Sequence, residues 1–299
     1  LRETVIRNQY PVLKTTDALE LLNSAPVNFI EEKTAVQKIR SGEISTVYTS
    51  SENSIGWIST NLPFSDLPDQ VDVFKNKARF RKLISGLYPD FFYRIVNPSK
   101  LDEINYDELP HPFIIKPNVG FFSLGVHKVT SVENWKAVKQ KIGEETEKIK
   151  HTYPEEVLDT AKFIIEENIS GEEFTVDAFY DGTGKPFVLG MMHHIFAGEE
   201  DTSDRLYTTS PQIIRENLAP FRDFLEKLGK LAGLKNFPLH LEVRVDNNGR
   251  IMPIEGNPLR YGGWCTSAEL THYAFGFNPY EYVMEGRQPE WERILDSHS

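Results

Sequence analysis

The stretch LHLEVRVDNNGRIMPIEGN, residues 239–257, contains two apolar runs separated by a polar turn. The runs alternate in polarity as strands do, and Asn-Asn-Gly between them is typical of a hairpin turn. Antiparallel pairing around this turn would set Glu242 beside Glu255, and Asn257 lies on the same face as Glu255 because side chains two apart in a strand share a face. Gly256 would leave room between the last two side chains. Carboxylates this close repel each other unless a cation or a proton lies between them.

This oxygen cluster is suited to a hard cation such as Mg²⁺. Mg²⁺ usually takes one or two carboxylates from the protein and its other ligands from water and substrate phosphates. The cluster therefore predicts a nucleoside triphosphate as the ligand. Asn-Pro and the neighbouring glycines are also typical of an ordinary turn, so this stretch alone leaves both interpretations open.

The composition limits the class of protein. The chain has 299 residues, 39% of them hydrophobic and 26% charged, which is enough for two or three subdomains with cores of their own. A formal net charge of -11 argues against nucleic acid or an anionic membrane as a partner, since both bind basic surfaces. No apolar run approaches the roughly 20 residues of a membrane span. The single cysteine, Cys265, fits a reducing compartment, so we expect a cytoplasmic protein.

Short apolar runs alternate with helical patterns along the chain, which indicates an α/β protein. The runs VNFIEE and ISTVYTS predict two strands that flank a helix at residues 33–42. The proline-rich stretch at residues 61–70 predicts a domain boundary. We expect four parts: an N-terminal α/β domain at residues 1–70, a connecting helical segment at 71–111, a small lid subdomain at 112–168, and a C-terminal subdomain at 169–299 that carries the metal site.

A basic amphipathic helix is predicted at residues 71–86. Its cations are Lys75, Lys77, Arg79, Arg81 and Lys82. A charge run of this kind is usually a solvated helix face. We therefore expect most of these side chains to face water.

The stretch FIIKPNVGFFSLGV, residues 113–126, ends an apolar strand on Lys116 and continues into a glycine-bearing loop. Backbone N–H groups around Gly120, Ser123 and Gly125 could point at phosphate oxygens. A lysine at a strand end and a glycine loop also occur in plain hairpins. Spacing alone does not decide between a phosphate site and a hairpin.

Taken in order, these motifs resemble those of the ATP-grasp enzymes, among them the D-alanyl-D-alanine ligases, the L-amino-acid ligases and the carnosine synthases. The resemblance runs from about residue 71 to about residue 263. It rests on NKARFR, IIKP, EENISGEEF, and an acid followed thirteen residues later by ExN. It implies an ATP-grasp fold of α+β subdomains behind a small open N-terminal α/β domain. It also implies ATP and Mg²⁺ as cofactors, with Mn²⁺ able to substitute.

The resemblance further implies how ATP would be held. Its phosphates would meet two lysines and a lid residue, Lys77, Lys116 and Ser123. Its adenine and ribose would meet the hinge segment, with Glu166 at the adenine amino group, Glu167, Asn168 and Ile169 through their backbone, and Glu173 at the ribose hydroxyls. The metal ligands would be Glu242, Glu255 and Asn257.

The implied reaction joins a carboxylate to an amine through an acyl phosphate and releases ADP and phosphate. Lys116, Arg260 and His240 are the side chains implied at the reacting groups, with Arg260 a candidate for the substrate carboxylate. Arg260 lies one place later than the family's arginine, and a lone strand histidine such as His240 is often a structural hydrogen-bonder. Arg205 and His193 are weaker candidates and are more typical of surface contacts.

Small-molecule carboxylate and amine substrates are the implied partners, and a homodimer is left open. Two other functions also stay open. One is an ATP-binding protein without ligase activity that serves as a sensor or partner subunit. The other is an ATP-grasp kinase that stops at a phosphorylated product.

Overall fold

The computed structural model describes residues 1–22, 25–50, 54–120, 125–149, 159–198, 206–263 and 266–297. These residues form three sheets with helices packed between and around them, which confirms the predicted α/β class. None of the helices in these ranges has the length and apolar character needed to cross a bilayer.

Up to residue 50, the described residues form one two-stranded parallel sheet and three helices. Its elements are α1 (Arg2–Asn8), β1 (Val12–Leu13), α2 (Thr16–Leu21), β2 (Phe29–Ile30) and α3 (Glu32–Arg40). Helix α3 confirms the helix predicted at residues 33–42. The strand predicted at residues 44–50 is wrong, because this segment docks on the C-terminal part: Thr49 donates to the carbonyl oxygen of Leu259 at 2.7 Å, and the Tyr48 ring lies 5.4 Å from that of Tyr261.

The predicted basic helix is two helices. After α4 (Ser54–Asn61), the chain forms α5 (Leu67–Lys75) and α6 (Lys77–Ile84). Asn76 separates them, because its backbone is extended and its side chain accepts a hydrogen bond from the Arg79 N–H at 3.0 Å, which caps α6.

The prediction that these side chains face water is also wrong for three of the five cations. Lys75, Lys77 and Arg81 are buried, and only Arg79 and Lys82 face water. Lys77 and Arg81 are four residues apart, so they lie on the same face of α6. This face turns toward the interior of the protein.

The smaller sheet has the strand order β3-β6-β4-β5 and is antiparallel throughout. Its elements are β3 (Tyr93–Val96), β4 (Phe113–Val119), β5 (His127–Val129), α7 (Val132–Ile149) and β6 (Asp159–Glu167). Two short 3-10 turns, Pro98–Glu103 and Tyr106–Glu108, connect β3 to β4. Trp135 of α7 packs edge-on against Phe113 in the core of this part, with ring centroids 5.4 Å apart.

The larger sheet has the strand order β11-β10-β7-β8-β9 and is also antiparallel. Its elements are β7 (Glu172–Tyr180), β8 (Pro186–His194), β9 (Tyr207–Thr208), α8 (Pro211–Ala232), β10 (Phe237–Val245) and β11 (Ile251–Pro258). Helices α9 (Thr266–Phe275), α10 (Pro279–Glu285) and α11 (Trp291–Asp296) follow. One face of the sheet packs with α8 in the main core, and its other face carries polar side chains.

The hairpin predicted at residues 239–257 is confirmed. Glu242 of β10 pairs directly with Glu255 of β11, and His240 pairs with Asn257. The turn is closed by the Asp246 side chain, which accepts hydrogen bonds from the backbone N–H groups of Asn248 and Arg250. The turn sets the register of the pairs next to it, and a β-bulge between Glu242 and Val243 shifts the register by one residue so that Glu242 meets Glu255.

Gly256 does not make room between Glu255 and Asn257, as was expected. Because neighbours along a strand face opposite sides, Gly256 points away from Glu255 and Asn257 and into the core. A Cβ atom at residue 256 would lie 2.5 Å from a ring carbon of Phe74. The glycine therefore makes room for α5 rather than for a ligand.

We expect Gly256→Ala to lower the free energy of unfolding by about 1–3 kcal/mol, because the added methyl group overpacks the contact with Phe74. Urea denaturation measures this difference. Gly143→Ala in α7 is the matched control, since a Cβ there would meet nothing within 4 Å. We expect Gly143→Ala to leave the free energy of unfolding unchanged or to raise it, because alanine favours a helix more than glycine does. Equal losses from both substitutions would contradict this packing.

Candidate functional site

A cavity of about 640 Å³ lies between the two larger sheets. The smaller sheet lines it with Ile114 and Lys116 of β4 and with Glu166 of β6. Glu167, the last residue of β6, also lines it, as do Asn168 and Ile169 in the chain that joins β6 to β7. The polar face of the larger sheet and the start of α9 complete the wall. The hinge residues predicted from the sequence therefore lie at this cavity.

The register of the larger sheet arranges its cavity-facing side chains in three rows. The hinge row, which lies nearest the chain joining β6 to β7, contains Arg244, Glu173, His194 and Tyr207. The middle row contains Glu255, Glu242, Thr175 and Met192. The far row contains Asn257 and His240, which line the cavity, and Asp177, which is buried beside His240. The three rows form one surface that is polar except at Met192.

The middle row and its neighbour Asn257 bring together the three predicted metal ligands. The Asn257 Nδ2 lies 3.5 Å from the Glu242 Oε1, and the Lys77 Nζ lies 3.0 Å from the Glu255 Oε2. Burial acts to raise the pKa of Glu255, but the charges of Lys77 and Lys116 outweigh it and hold that pKa below its usual value. Within the described ranges no third acidic, His or Cys side chain completes a cluster of three around a common point. The set is thus two carboxylates and one amide.

This donor set fits Mg²⁺ in chemistry. Both carboxylates face the cavity, and 24% of the Glu242 side chain and 20% of the Glu255 side chain are exposed. Each can therefore coordinate an ion in the cavity. The ammonium of Lys77 already supplies a positive charge to Glu255. A set this small leaves the ion's other positions for water and phosphate oxygens.

Beside the metal candidates lies a buried cluster of charges centred on Glu166. Its Oε1 accepts from the Arg81 Nε at 2.7 Å, and its Oε2 accepts from the Arg81 Nη2 at 3.1 Å and from the Lys116 Nζ at 2.9 Å. Burial acts to raise the pKa of Glu166, but the two cations outweigh it and lower the pKa to about 2. Burial also lowers the pKa of Lys116, against the attraction of Glu166.

These bonds limit what Glu166 can do. A carboxylate has about four acceptor positions, and three are already taken. One position on Oε1 remains for an adenine amino group, so Glu166 is first of all the counter-ion of two cations. The adenine contact stays a prediction.

Arg81 was missed as a site residue. It also donates to the carbonyl oxygens of Pro253 at 2.5 Å and Ile254 at 3.1 Å, and its guanidinium lies 4.5 Å from the centroid of the Phe91 ring. It thus connects β6 to the part of β11 that precedes the metal candidate at residue 255. The spacing of four residues from Lys77 was the signal in the sequence that could have revealed it.

In the far row, His240 is held by a buried carboxylate that was also missed. The Asp177 Oδ1 lies 2.7 Å from the His240 Nδ1 and accepts from the Gly262 N–H at 3.2 Å, while its Oδ2 accepts from the Ser267 hydroxyl. Burial acts to lower the pKa of His240, but hydrogen bonds and charges from Asp177 and Glu242 raise it to about 9. The bond to Asp177 therefore fixes the orientation of the His240 ring.

The remaining candidates fall in different places. Arg260 lines the cavity beyond the far row and donates to the carbonyl oxygen of Tyr261 at 3.3 Å. His193 does not line this cavity and stacks on Phe174 with ring centroids 4.8 Å apart. Three residues named from the sequence lie outside the described ranges: Ser123, Arg205 and Cys265.

Comparison with known proteins gives both a family and a fold. A family model for the ATP-grasp domain matches residues 109–268. An L-amino acid ligase from Bacillus licheniformis has a similar structure, with a TM-score of 0.64 and 16% identity over 95% of this chain and 69% of that chain. A biotin carboxylase from Campylobacter jejuni gives a TM-score of 0.63 and 12% identity over 97% of this chain and 69% of that chain.

A D-alanine-D-alanine ligase from Coxiella burnetii is also similar, with a TM-score of 0.52 and 12% identity over 84% of this chain and 68% of that chain. A comparison with curated protein sequences finds no match. At these identities the solved structures establish a shared fold. This confirms the fold that the motifs predict.

Proposed function

Because the chain belongs to the ATP-grasp family, we propose that it is an ATP- and Mg²⁺-dependent ligase that joins a carboxylate to an amine through an acyl phosphate. One observation carries this proposal. A single cavity brings together candidates for the phosphates, the metal ion and the ribose. They are Lys77, Lys116, Glu242, Glu255, Asn257 and Glu173.

The charges around this cavity suit a complex of Mg²⁺ with a polyphosphate. In the described ranges, Lys77, Lys116 and Arg81 lie against Glu166 and Glu255, and Glu242 is the register partner of Glu255. The three cations and the three carboxylates balance. Mg²⁺ held by Glu242 and Glu255 would add two positive charges, and a polyphosphate would compensate them.

In the proposed mechanism this chain mainly positions and neutralises groups. Glu242, Glu255 and Asn257 would hold Mg²⁺, which would neutralise charge on the transferring phosphoryl group when bound. Lys77 would then exchange Glu255 for a phosphate oxygen, and Lys116 would bind a second phosphate oxygen. Both lysines are charged hydrogen-bond donors, which bind phosphate more strongly than neutral donors do.

The reaction has two steps. A substrate carboxylate oxygen attacks the γ-phosphorus of ATP, and the bond between the γ-phosphorus and the β-phosphate oxygen breaks. ADP departs, and the substrate has become an acyl phosphate. An amine nitrogen then bonds to the acyl carbon, and phosphate leaves with the former carboxylate oxygen while the amine loses a proton. Arg260, at the end of the cavity away from the hinge, would hold a substrate carboxylate. Exclusion of water would protect the acyl phosphate.

The proposal is tested by measuring ADP, inorganic phosphate and coupled product together over a panel of carboxylate and amine pairs. Equal amounts of all three support the ligase. ADP with a stable phosphorylated acid and no free phosphate would identify a kinase. ATP binding without turnover on any pair would identify an ATP-binding protein of another function.

We expect Lys116→Ala to lower kcat about 100-fold and to weaken ATP binding, because a charged donor to the phosphates is lost. Arg81 remains paired with Glu166 in this variant, so the buried carboxylate keeps a counter-ion and the fold should persist. Steady-state kinetics and calorimetric titration with Mg-ATP measure both effects. Lys82→Ala is the control, since Lys82 faces water on the same helix as Lys77. Equal effects of the two substitutions would exclude a phosphate role for Lys116.

A further inference from the structure

The hinge row contains a cross-strand network in which Glu173 has a proposed role, whereas its partners Arg244 and His194 have none so far. Arg244 of β10, Glu173 of β7 and His194 of β8 are direct register partners. The Arg244 Nε and Nη2 lie 3.1 and 3.0 Å from the Glu173 Oε2, and the His194 Nδ1 lies 2.7 Å from the Glu173 Oε1. Arg244 also donates from Nη1 to the carbonyl oxygen of Ile169 at 3.2 Å.

These contacts fix the Glu173 carboxylate in one orientation. Its side chain is 9% exposed, so its charge is largely removed from water and needs compensation. Arg244 supplies that compensation with two donors on one oxygen, and a guanidinium holds such a geometry more rigidly than an ammonium can. The same side chain connects Glu173 to the chain between β6 and β7.

The arrangement also limits how much of Glu173 a ligand can use. Of about four acceptor positions on a carboxylate, Arg244 takes both on Oε2 and His194 takes one on Oε1. One position remains, on Oε1, and Glu173 lines the cavity. Glu173 can therefore accept a hydrogen bond from one ligand hydroxyl rather than from two.

We propose that Arg244 is a positioning residue that sets ribose recognition, by turning the Glu173 carboxylate so that it accepts from a single ribose hydroxyl. This inference rests on the proposed function, because it takes the ligand to be a ribonucleotide with its ribose at Glu173. It adds a residue that the sequence motifs do not mark. It also replaces contact with both ribose hydroxyls by contact with one.

A purely structural role for Arg244 makes a different prediction. As a cross-strand ion pair, Arg244 and Glu173 would stabilise the sheet and affect all nucleotides alike. As a positioning residue, Arg244 should affect only nucleotides that carry the recognised hydroxyl. The comparison of ATP with its two monodeoxy analogues separates the two roles.

The experiment measures the dissociation constants of Mg-ATP, Mg-2′-deoxy-ATP and Mg-3′-deoxy-ATP by calorimetry. In the wild-type protein we expect one deoxy analogue to bind about 10- to 100-fold more weakly than ATP, as for a lost hydrogen bond to a charged group, and the other to bind within about 3-fold. In Arg244→Met that difference should fall to within about 3-fold, because the binding of ATP weakens while the binding of the analogue does not. In Arg244→Lys the difference between ATP and the weaker analogue should lie between those of the wild type and Arg244→Met. Lysine keeps the positive charge but lacks the two-pronged guanidinium.

Two further variants make the outcome decisive. Glu173→Gln should lose the discrimination as Arg244→Met does. Arg250→Met, which changes an exposed arginine of the same hairpin outside the cavity, should keep it. Thermal melting of each variant shows whether it is folded.

Four results would overturn the inference: full discrimination in folded Arg244→Met, equal weakening of all three nucleotides in that variant, comparable penalties for both deoxy analogues in the wild type, or no wild-type penalty for either. Failure of the nucleotide site looks different, because the wild-type protein would then bind none of the three nucleotides. Failure of the ligase activity alone is seen in the turnover measurements and leaves this comparison of binding unchanged.

Discussion

Glu255→Gln is expected to lower turnover by about 1,000-fold or more while the protein stays folded. Glutamine keeps the shape of the side chain but removes the charge that would hold Mg²⁺ opposite Glu242. It also removes the counter-charge of Lys77, whose Nζ lies 3.0 Å from the Glu255 carboxylate. Initial rates of ADP formation over a range of Mg²⁺ concentrations measure the loss.

Glu172→Gln is the control for this substitution. Its side chain is 73% exposed at the start of β7, outside the cavity, so its turnover should match the wild type. Turnover of Glu255→Gln near the wild-type level at saturating Mg²⁺ would exclude Glu255 as a metal ligand.

Arg81→Met is expected to lower the free energy of unfolding by about 3–5 kcal/mol, the usual cost of removing one partner from a buried ion pair. The variant loses both bonds to Glu166 and both bonds to the carbonyl oxygens of Pro253 and Ile254. Lys116 would then be the remaining counter-ion of Glu166. Because the two charges would neutralise each other, Lys116 would attract a phosphate less strongly. Urea denaturation measures the stability, and calorimetry measures the weaker binding of Mg-ATP.

Arg79→Met tests the same substitution two residues earlier in α6. Arg79 is half exposed and pairs with Asp72 at the surface, a kind of ion pair that contributes about 0–1 kcal/mol. A loss from Arg81→Met as small as that from Arg79→Met would show that the buried network does not hold the two sheets together.

The hairpin that carries the metal candidates could be predicted from the sequence, because its turn and its alternating strands are local signals. The exact pairing needed the structure: a regular continuation of the register from the turn would pair Glu242 with Ile254, and a β-bulge between Glu242 and Val243 gives the observed pairing with Glu255. Alternation places Gly256 on the face opposite Glu255 and Asn257. It does not show why a glycine is needed there, because that depends on the packed position of Phe74.

Arg81 and Asp177 could not be predicted in this way, because their partners are distant in sequence. Arg81 meets a carboxylate 85 residues later and carbonyl groups more than 170 residues later. Asp177 lies in an apolar strand and meets His240 and Ser267 only after β7, β10 and α9 have packed. The strand expected at residues 44–50 failed for a related reason, since tertiary docking overrode its local preference.

If a carboxylate is activated as an acyl phosphate, one of its oxygens must leave in the inorganic phosphate. To detect it, the wild-type protein is incubated with Mg-ATP and a mixture of amino acids whose carboxylates carry a heavy isotope of oxygen, and the inorganic phosphate is analysed by mass spectrometry. We expect one labelled oxygen in each phosphate released, together with ADP and a product containing a new carbon–nitrogen bond, as an acyl-phosphate mechanism requires. Turnover that forms this product but releases unlabelled phosphate, or places the label in AMP, would contradict it.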